Sequence, residues 1–108
     1  MTYQAFLTQD ASRDLEDLYN HIESHDALEQ ADYVLDKIEQ AFSSLSENPE
    51  RGAFPKELLA VGLREYRGIY FKPYRIIYRV IAENVYIMVI ADGRRDMQAL
   101  LQRRLLQA

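Results

Sequence analysis

The sequence predicts an α+β domain: a helical hairpin packed on a small, mostly antiparallel sheet, in the order β-α-α-β-β-β-α. Three stretches carry that reading. Residues 74–80, YRIIYRV, combine Tyr, Ile and Val with alternate Arg, the composition of a pleated, half-buried strand. Residues 85–96, VYIMVIADGRRD, form a second apolar run behind the short polar join Ala82-Glu83-Asn84, which reads as a hairpin turn. The N-terminal half instead repeats its apolar residues at helical spacing, twice over.

Each element follows in order. Tyr3 to Thr8 alternates Tyr3, Ala5 and Leu7 against Gln4, Phe6 and Thr8, which predicts a strand at a sheet edge or beside the hairpin. Thr8 or Asp10 can cap the helix that follows. Ala11, Leu15, Leu18, Tyr19 and Ile22 define that helix, which ends near Ser24. Asp26 and Glu29 have the spacing of a capping box. Leu28, Ala31, Leu35, Ile38, Phe42 and Leu45 then mark a second amphipathic helix, stopped by Asn48-Pro49. A short join makes the two an antiparallel pair whose apolar stripes need the sheet as a partner.

Residues 49–60 hold two of the three prolines and read as a loop with one helical turn. Val61 to Tyr70 is expected to be a strand carrying Arg64 and Arg67, and Phe71-Lys72-Pro73 turns into the central strand. There Tyr74, Ile76, Tyr78 and Val80 point one way; Arg75, Ile77, Arg79 and Ile81 point the other. Arg75 and Arg79 are expected on a sheet face left partly open. Met97, Leu100, Leu101 and Leu105 predict, within residues 97–108, a short C-terminal helix or an extension that folds on binding.

Composition bounds the function. One domain spans residues 1–108, long enough for a core without staples. Cysteine is absent, which excludes disulfides and thiolate chemistry. The N-terminus lacks the basic and apolar regions of a signal peptide, and the apolar run Val85–Ala91 is too short to span a bilayer. A cytoplasmic protein is expected, with no membrane partner and no cofactor. The net charge of −4 conceals a division. Residues 1–50 carry two basic groups against twelve acidic ones; residues 51–108 carry eleven against five, nine of the eleven being Arg. That asymmetry points the C-terminal half at something anionic, unless acidic helices and basic sheet satisfy each other.

The basic set is Arg64, Arg67, Arg75, Arg79, Arg94 and Arg95. It offers a binding surface for an acidic protein or a phosphate. The alternative is internal pairing of Arg79 with Glu83, and of Arg94 and Arg95 with Asp92 and Asp96. His21 and His25, at i and i+4, could hold a metal, but no third ligand is evident, and a solvated pair at a helix C-terminus is the favoured reading. No glycine-rich phosphate loop exists, and Ser43, Ser44 and Ser46 have no His nearby in sequence. No metal ligand or catalytic residue is assigned. The tyrosines suit a sheet core or an interface equally.

The acidic helix pair, the Pro after it, Leu63-Arg64, the run Tyr74 to Val80, and Gly93 to Asp96 before a last helix together resemble the RelE/ParE superfamily of type II toxin–antitoxin toxins. The resemblance covers nearly the whole chain. It implies a small toxin neutralised by a cognate ParD- or RelB-like antitoxin, which would lay a helix in a groove and add a strand to the sheet edge. RelE-like members cleave messenger RNA on the ribosome; ParE-like members inhibit DNA gyrase. Arg75 and Arg95 match the two arginines of the RNases, but Arg64 and Arg67 stand where those carry lysines, and Met97 to Leu101 after Asp96 hold no Tyr, no His and nothing that titrates. Guanidinium groups are poor proton acceptors. The resemblance therefore favours the gyrase inhibitor over the RNase, with a non-toxic antitoxin-binding homologue as a third reading. It places antitoxin or target contacts on the six arginines and target engagement on the C-terminal helix, with no direct nucleic-acid binding expected.

Overall fold

The computed structural model describes residues 2–106. Strand β1 (Gln4–Leu7) leads into α1 (Gln9–His25) and α2 (Leu28–Ser43), followed by a 3-10 turn (Ser44–Ser46) and the short α3 (Lys56–Leu59). Strands β2 (Tyr66–Phe71), β3 (Tyr74–Ile81) and β4 (Asn84–Asp92) come next, then α4 (Met97–Leu101), which continues as a π turn over Gln102–Leu106. The sheet order is β1-β4-β3-β2, with β1 parallel to β4 and the other pairings antiparallel. The predicted order and edge strand stand. Residues 107 and 108 of the expected C-terminal helix lie outside the described residues.

Local signals account for most boundaries. Thr8 caps α1, accepting from the Ala11 amide at 3.2 Å while its hydroxyl donates to the Ile87 carbonyl at 2.8 Å. The capping box does not form. Asp26 closes α1 instead, and α2 starts at Ala27 with no side-chain cap. Only Asp26 and Ala27 join the helices; with Asp26 taken up as the C-cap of α1, the N-cap position of α2 falls to Ala27, which has no side-chain acceptor. Tyr19 on α1 donates to Asp32 on α2 at 2.6 Å, and that carboxylate pushes the phenol up to about 12.

The strand expected over residues 61–70 begins only at Tyr66. Gly62 has φ +81°, and the Leu63 amide returns to the Leu58 carbonyl at 2.9 Å, so residues 61–65 turn back from α3 and Arg64 lies off the sheet. The β3–β4 turn is tight, with Ala82 in the left-handed region at φ +56°.

The expected half-open sheet is also corrected. Ile69, Ile76, Tyr78, Val85, Ile87 and Ile90 face α1 and α2 in one core. Tyr66, Ile77, Val89 and Ala91 face the other way and are covered by Leu58 of α3 and by Met97, Leu100 and Leu101 of α4. The C-terminal helix is thus an integral layer. Asp96 caps it by accepting from the Ala99 amide at 3.1 Å.

Met88 has no opposite on β3: Ile77 pairs with Val89 and Tyr78 with Ile87. This bulge reverses the parity of β4, so Val85 and Ile87 share one face and Val89 and Ala91 the other. It also frees backbone groups. The Ile90 amide donates to Asp14 at 3.0 Å, and Arg104 donates to the Met88 carbonyl at 3.0 Å and to both Asp14 oxygens at 2.9 and 3.0 Å. α1, β4 and the C-terminal turn are therefore locked together at the bulge.

Tyr78 anchors the long loop. Its hydroxyl donates to the Pro49 carbonyl at 2.6 Å and accepts from the Gly52 amide at 3.0 Å. Gly52 is required there, since a Cβ would lie 2.6 Å from that hydroxyl. Replacing Tyr78 by Phe leaves both backbone groups unpartnered, and urea-induced unfolding should show a loss of about 1–3 kcal/mol.

Candidate functional site

The six arginines do not make one surface. Arg75 pairs in register with Tyr70 and Ala91 towards one end of the sheet, and Arg79 with Tyr66 and Tyr86 towards the other. Four residues of strand put them about 13 Å apart. Arg94 and Arg95 lie in the loop after β4, at the Arg75 end. At the opposite end, Arg64, Arg67 and Arg79 line a hollow of about 380 Å³ with Phe54, Glu50 and Glu65.

Their commitments differ as well. Arg75 is 7% exposed and grips Glu57 of α3 through two hydrogen bonds, at 2.7 and 2.9 Å. Its guanidinium also lies 5.6 Å from the Tyr70 ring centre. The expectation of an open face bearing Arg75 is corrected: α3 covers it, and its fork is spent on an internal carboxylate. Arg67 donates to the Gly52 carbonyl at 2.9 Å and stacks 4.5 Å from the Phe54 ring centre. Arg79 pairs with Glu65, not Glu83, at 3.3 Å. Arg94 pairs with Asp92 at 2.6 Å, holding that carboxyl below its ordinary range, and Asp96 serves as a helix cap. Among the described residues no ion pair engages Arg64 or Arg95, and both are exposed.

A cleft of about 550 Å³ separates the α1 flank from the loop after β4. Asp14, Asp17, His21 and His25 line it from α1, and Tyr74, Asp92, Arg94 and Arg95 from the sheet end. His21 and His25 stack with ring centres 4.1 Å apart. Burial, reinforced by Asp92, raises the Tyr74 hydroxyl above its ordinary value, so it stays protonated at neutral pH. Sequence order alone missed this assembly. No Tyr or His follows Asp96, yet the fold brings two histidines and a tyrosine into the cleft that Arg95 lines. Only the helical spacing of His21 and His25 hinted at a shared face. Arg75 is not among the residues lining the cleft. No helix among the described residues is long and apolar enough to cross a membrane.

Comparison with known proteins gives a consistent result. Residues 5–97 match the family model described as "ParE toxin of type II toxin-antitoxin system, parDE". The toxin ParE3 of Caulobacter vibrioides is 31% identical over 97 residues, covering 90% of this chain and 93% of that protein. Among solved structures, the chromosomal ParDE system of P. aeruginosa superposes with a TM-score of 0.70 at 19% identity, over 84% of this chain and 96% of that one. The toxin–antitoxin complex RelBE2 of Mycobacterium tuberculosis gives 0.59 at 25% identity, over 85% and 99%. An E. coli RelE mutant in the free state gives 0.61 at 14% identity, over 97% and 100%, a likeness of fold.

The Arg75–Glu57 pair sets a testable pH dependence. Its hydrogen bonds to Arg75 hold the Glu57 carboxyl below its ordinary value of 4.5, against the opposing effect of burial. A folded value below the unfolded one stabilises fully above the unfolded value and is lost as the pH falls through the folded one. Glu57→Gln leaves a buried guanidinium without its charge partner, and at neutral pH chemical denaturation should show a loss of about 3 kcal/mol. The gap between variant and parent should narrow below about pH 4, as the parent's carboxyl is protonated.

Proposed function

Because the chain belongs to the ParE toxin family of type II toxin–antitoxin systems, we propose that a cognate antitoxin holds it inactive and that the released toxin inhibits DNA gyrase by protein contact in the cytoplasm. The ParDE system and the RelBE2 complex are pairs of this kind. The observation that carries the choice of target is the diversion of Arg75. An RNase built on Arg75 and Arg95 needs both on one phosphate, and here Arg75 is buried against Glu57.

The split basic set then serves two contacts. Arg64, Arg67 and Arg79 meet an acidic segment of the antitoxin. Arg94 and Arg95, directly before α4, meet the target together with the exposed side of that helix. Arg75 supports the fold beneath them. Charge complementarity of this kind sets association rate and partner choice more than raw affinity.

One observation favours the rival. The cleft brings His21, His25 and Tyr74 to Arg95, and imidazoles can move protons at neutral pH. Against it, Arg75, the second arginine such an RNase would set on the phosphate, does not line this cleft.

Purified toxin should block supercoiling by purified gyrase, and the pair Arg94→Ala and Arg95→Ala should relieve the block without unfolding the chain. Undisturbed supercoiling at toxin excess defeats the proposal. Messenger cleavage on translating ribosomes, lost on His21→Gln, would establish the rival. A chain whose induction leaves growth unaffected would instead be a non-toxic antitoxin binder.

A further inference from the structure

We propose that His21 and His25 form a two-histidine chelate, on the α1 wall of the cleft, for a borderline divalent transition cation of the zinc and nickel class. Three independent features support this. The first is geometric. One helical turn separates the residues, their rings stack with centres 4.1 Å apart, and both are exposed on the cleft wall, so rotation about their side-chain bonds can bring a nitrogen of each onto one cation.

The second is the protonation pattern of His25. Its Nδ1 lies 2.8 Å from the His21 carbonyl oxygen. A carbonyl oxygen only accepts, so Nδ1 carries a proton, and in the neutral ring the lone pair is then on Nε2. A backbone carbonyl holding the far nitrogen is the usual outer partner of a metal-bound imidazole: it fixes the ring and selects the ligating tautomer.

The third is charge. The pair sits in the last turns of α1, whose carbonyl end is negative. Asp17, one turn earlier, and Asp26, which closes the helix, line the same cleft. Of the other charged groups facing it, Asp14 is held by Arg104 and Asp92 by Arg94, and Tyr74 is neutral. Arg95 is the one opposing charge without an ion-pair partner among the described residues. The balance admits a cation.

Among the described residues, no three His or carboxylate side chains converge as a closed cage. The chelate is therefore bidentate and exchangeable, with its remaining positions open to water or to a side chain from a docked protein. Thiolate and oxygen-only cations are poorly served; imidazole suits zinc and nickel.

Titrating zinc chloride, and separately nickel chloride, into the full chain in chelator-treated, phosphate-free buffer should give saturable binding of one cation per chain. His21→Gln and His25→Gln should each abolish it while leaving the thermal melt unchanged, because both side chains are exposed. Magnesium should not bind. Zinc binding that survives both substitutions, or magnesium binding equally well, would overturn the proposal by assigning the site to the carboxylates. Half a cation per chain would overturn it too, by making the site a bridge between copies. Because no gyrase or antitoxin enters these measurements, their outcome is independent of the toxic mechanism.

Discussion

Ile76, Ile77 and Tyr78 are consecutive and none is exposed, which a strand achieves only when both of its faces are covered. That requirement governs the rest of the molecule. The α1–α2 pair covers one face, and α3 with α4 covers the other. Neither layer is optional, since stripping either would expose fully buried aliphatic side chains. Chain that looked peripheral, the loop before β2 and the C-terminal segment, is therefore part of the hydrophobic interior.

Covering both faces forces the irregularities. β4 presents Val85 and Ile87 to one core and Val89 and Ala91 to the other, which strict alternation forbids. The extra residue Met88 resolves the conflict by shifting parity. The backbone groups freed there cannot stay unpaired at modest cost. Asp14 and Arg104 satisfy them, from residues 90 apart in sequence. Part of the opposition between an acidic N-terminal half and a basic C-terminal half is thus internal: Asp14 with Arg104, and Arg104 near Asp10.

The same economy shapes the functional surface. Arg75 is drawn inward by Glu57 because α3 closes over β3, and this removes it from any outward constellation. What remains splits into two basic regions at opposite ends of the sheet, one around Arg64, Arg67 and Arg79 and one around Arg94 and Arg95. The proposed antitoxin and target contacts fall on these two separate regions. Between α1 and the second region lies the cleft with the paired histidines, where imidazole, carboxylate and guanidinium groups meet in the open.

The sequence by itself determined what local periodicity and turn chemistry can express. The order of elements, the hairpin through Ala82, a cap at Thr8 or Asp10 and the helical spacing of Met97, Leu100 and Leu101 are all written in runs of a few residues, because they depend on neighbours in the chain. The RelE/ParE likeness is legible for the same reason, as ordered motifs of fixed spacing. Tertiary structure alone decided the rest. It set the second core, the Met88 bulge, the burial of Arg75 against Glu57, the pairing of Arg79 with Glu65, and the convergence of α1 histidines on the Arg95 loop. Each depends on groups far apart in the chain meeting across a packed layer. A side chain's exposure and partners are properties of that layer, and no window of local sequence contains it.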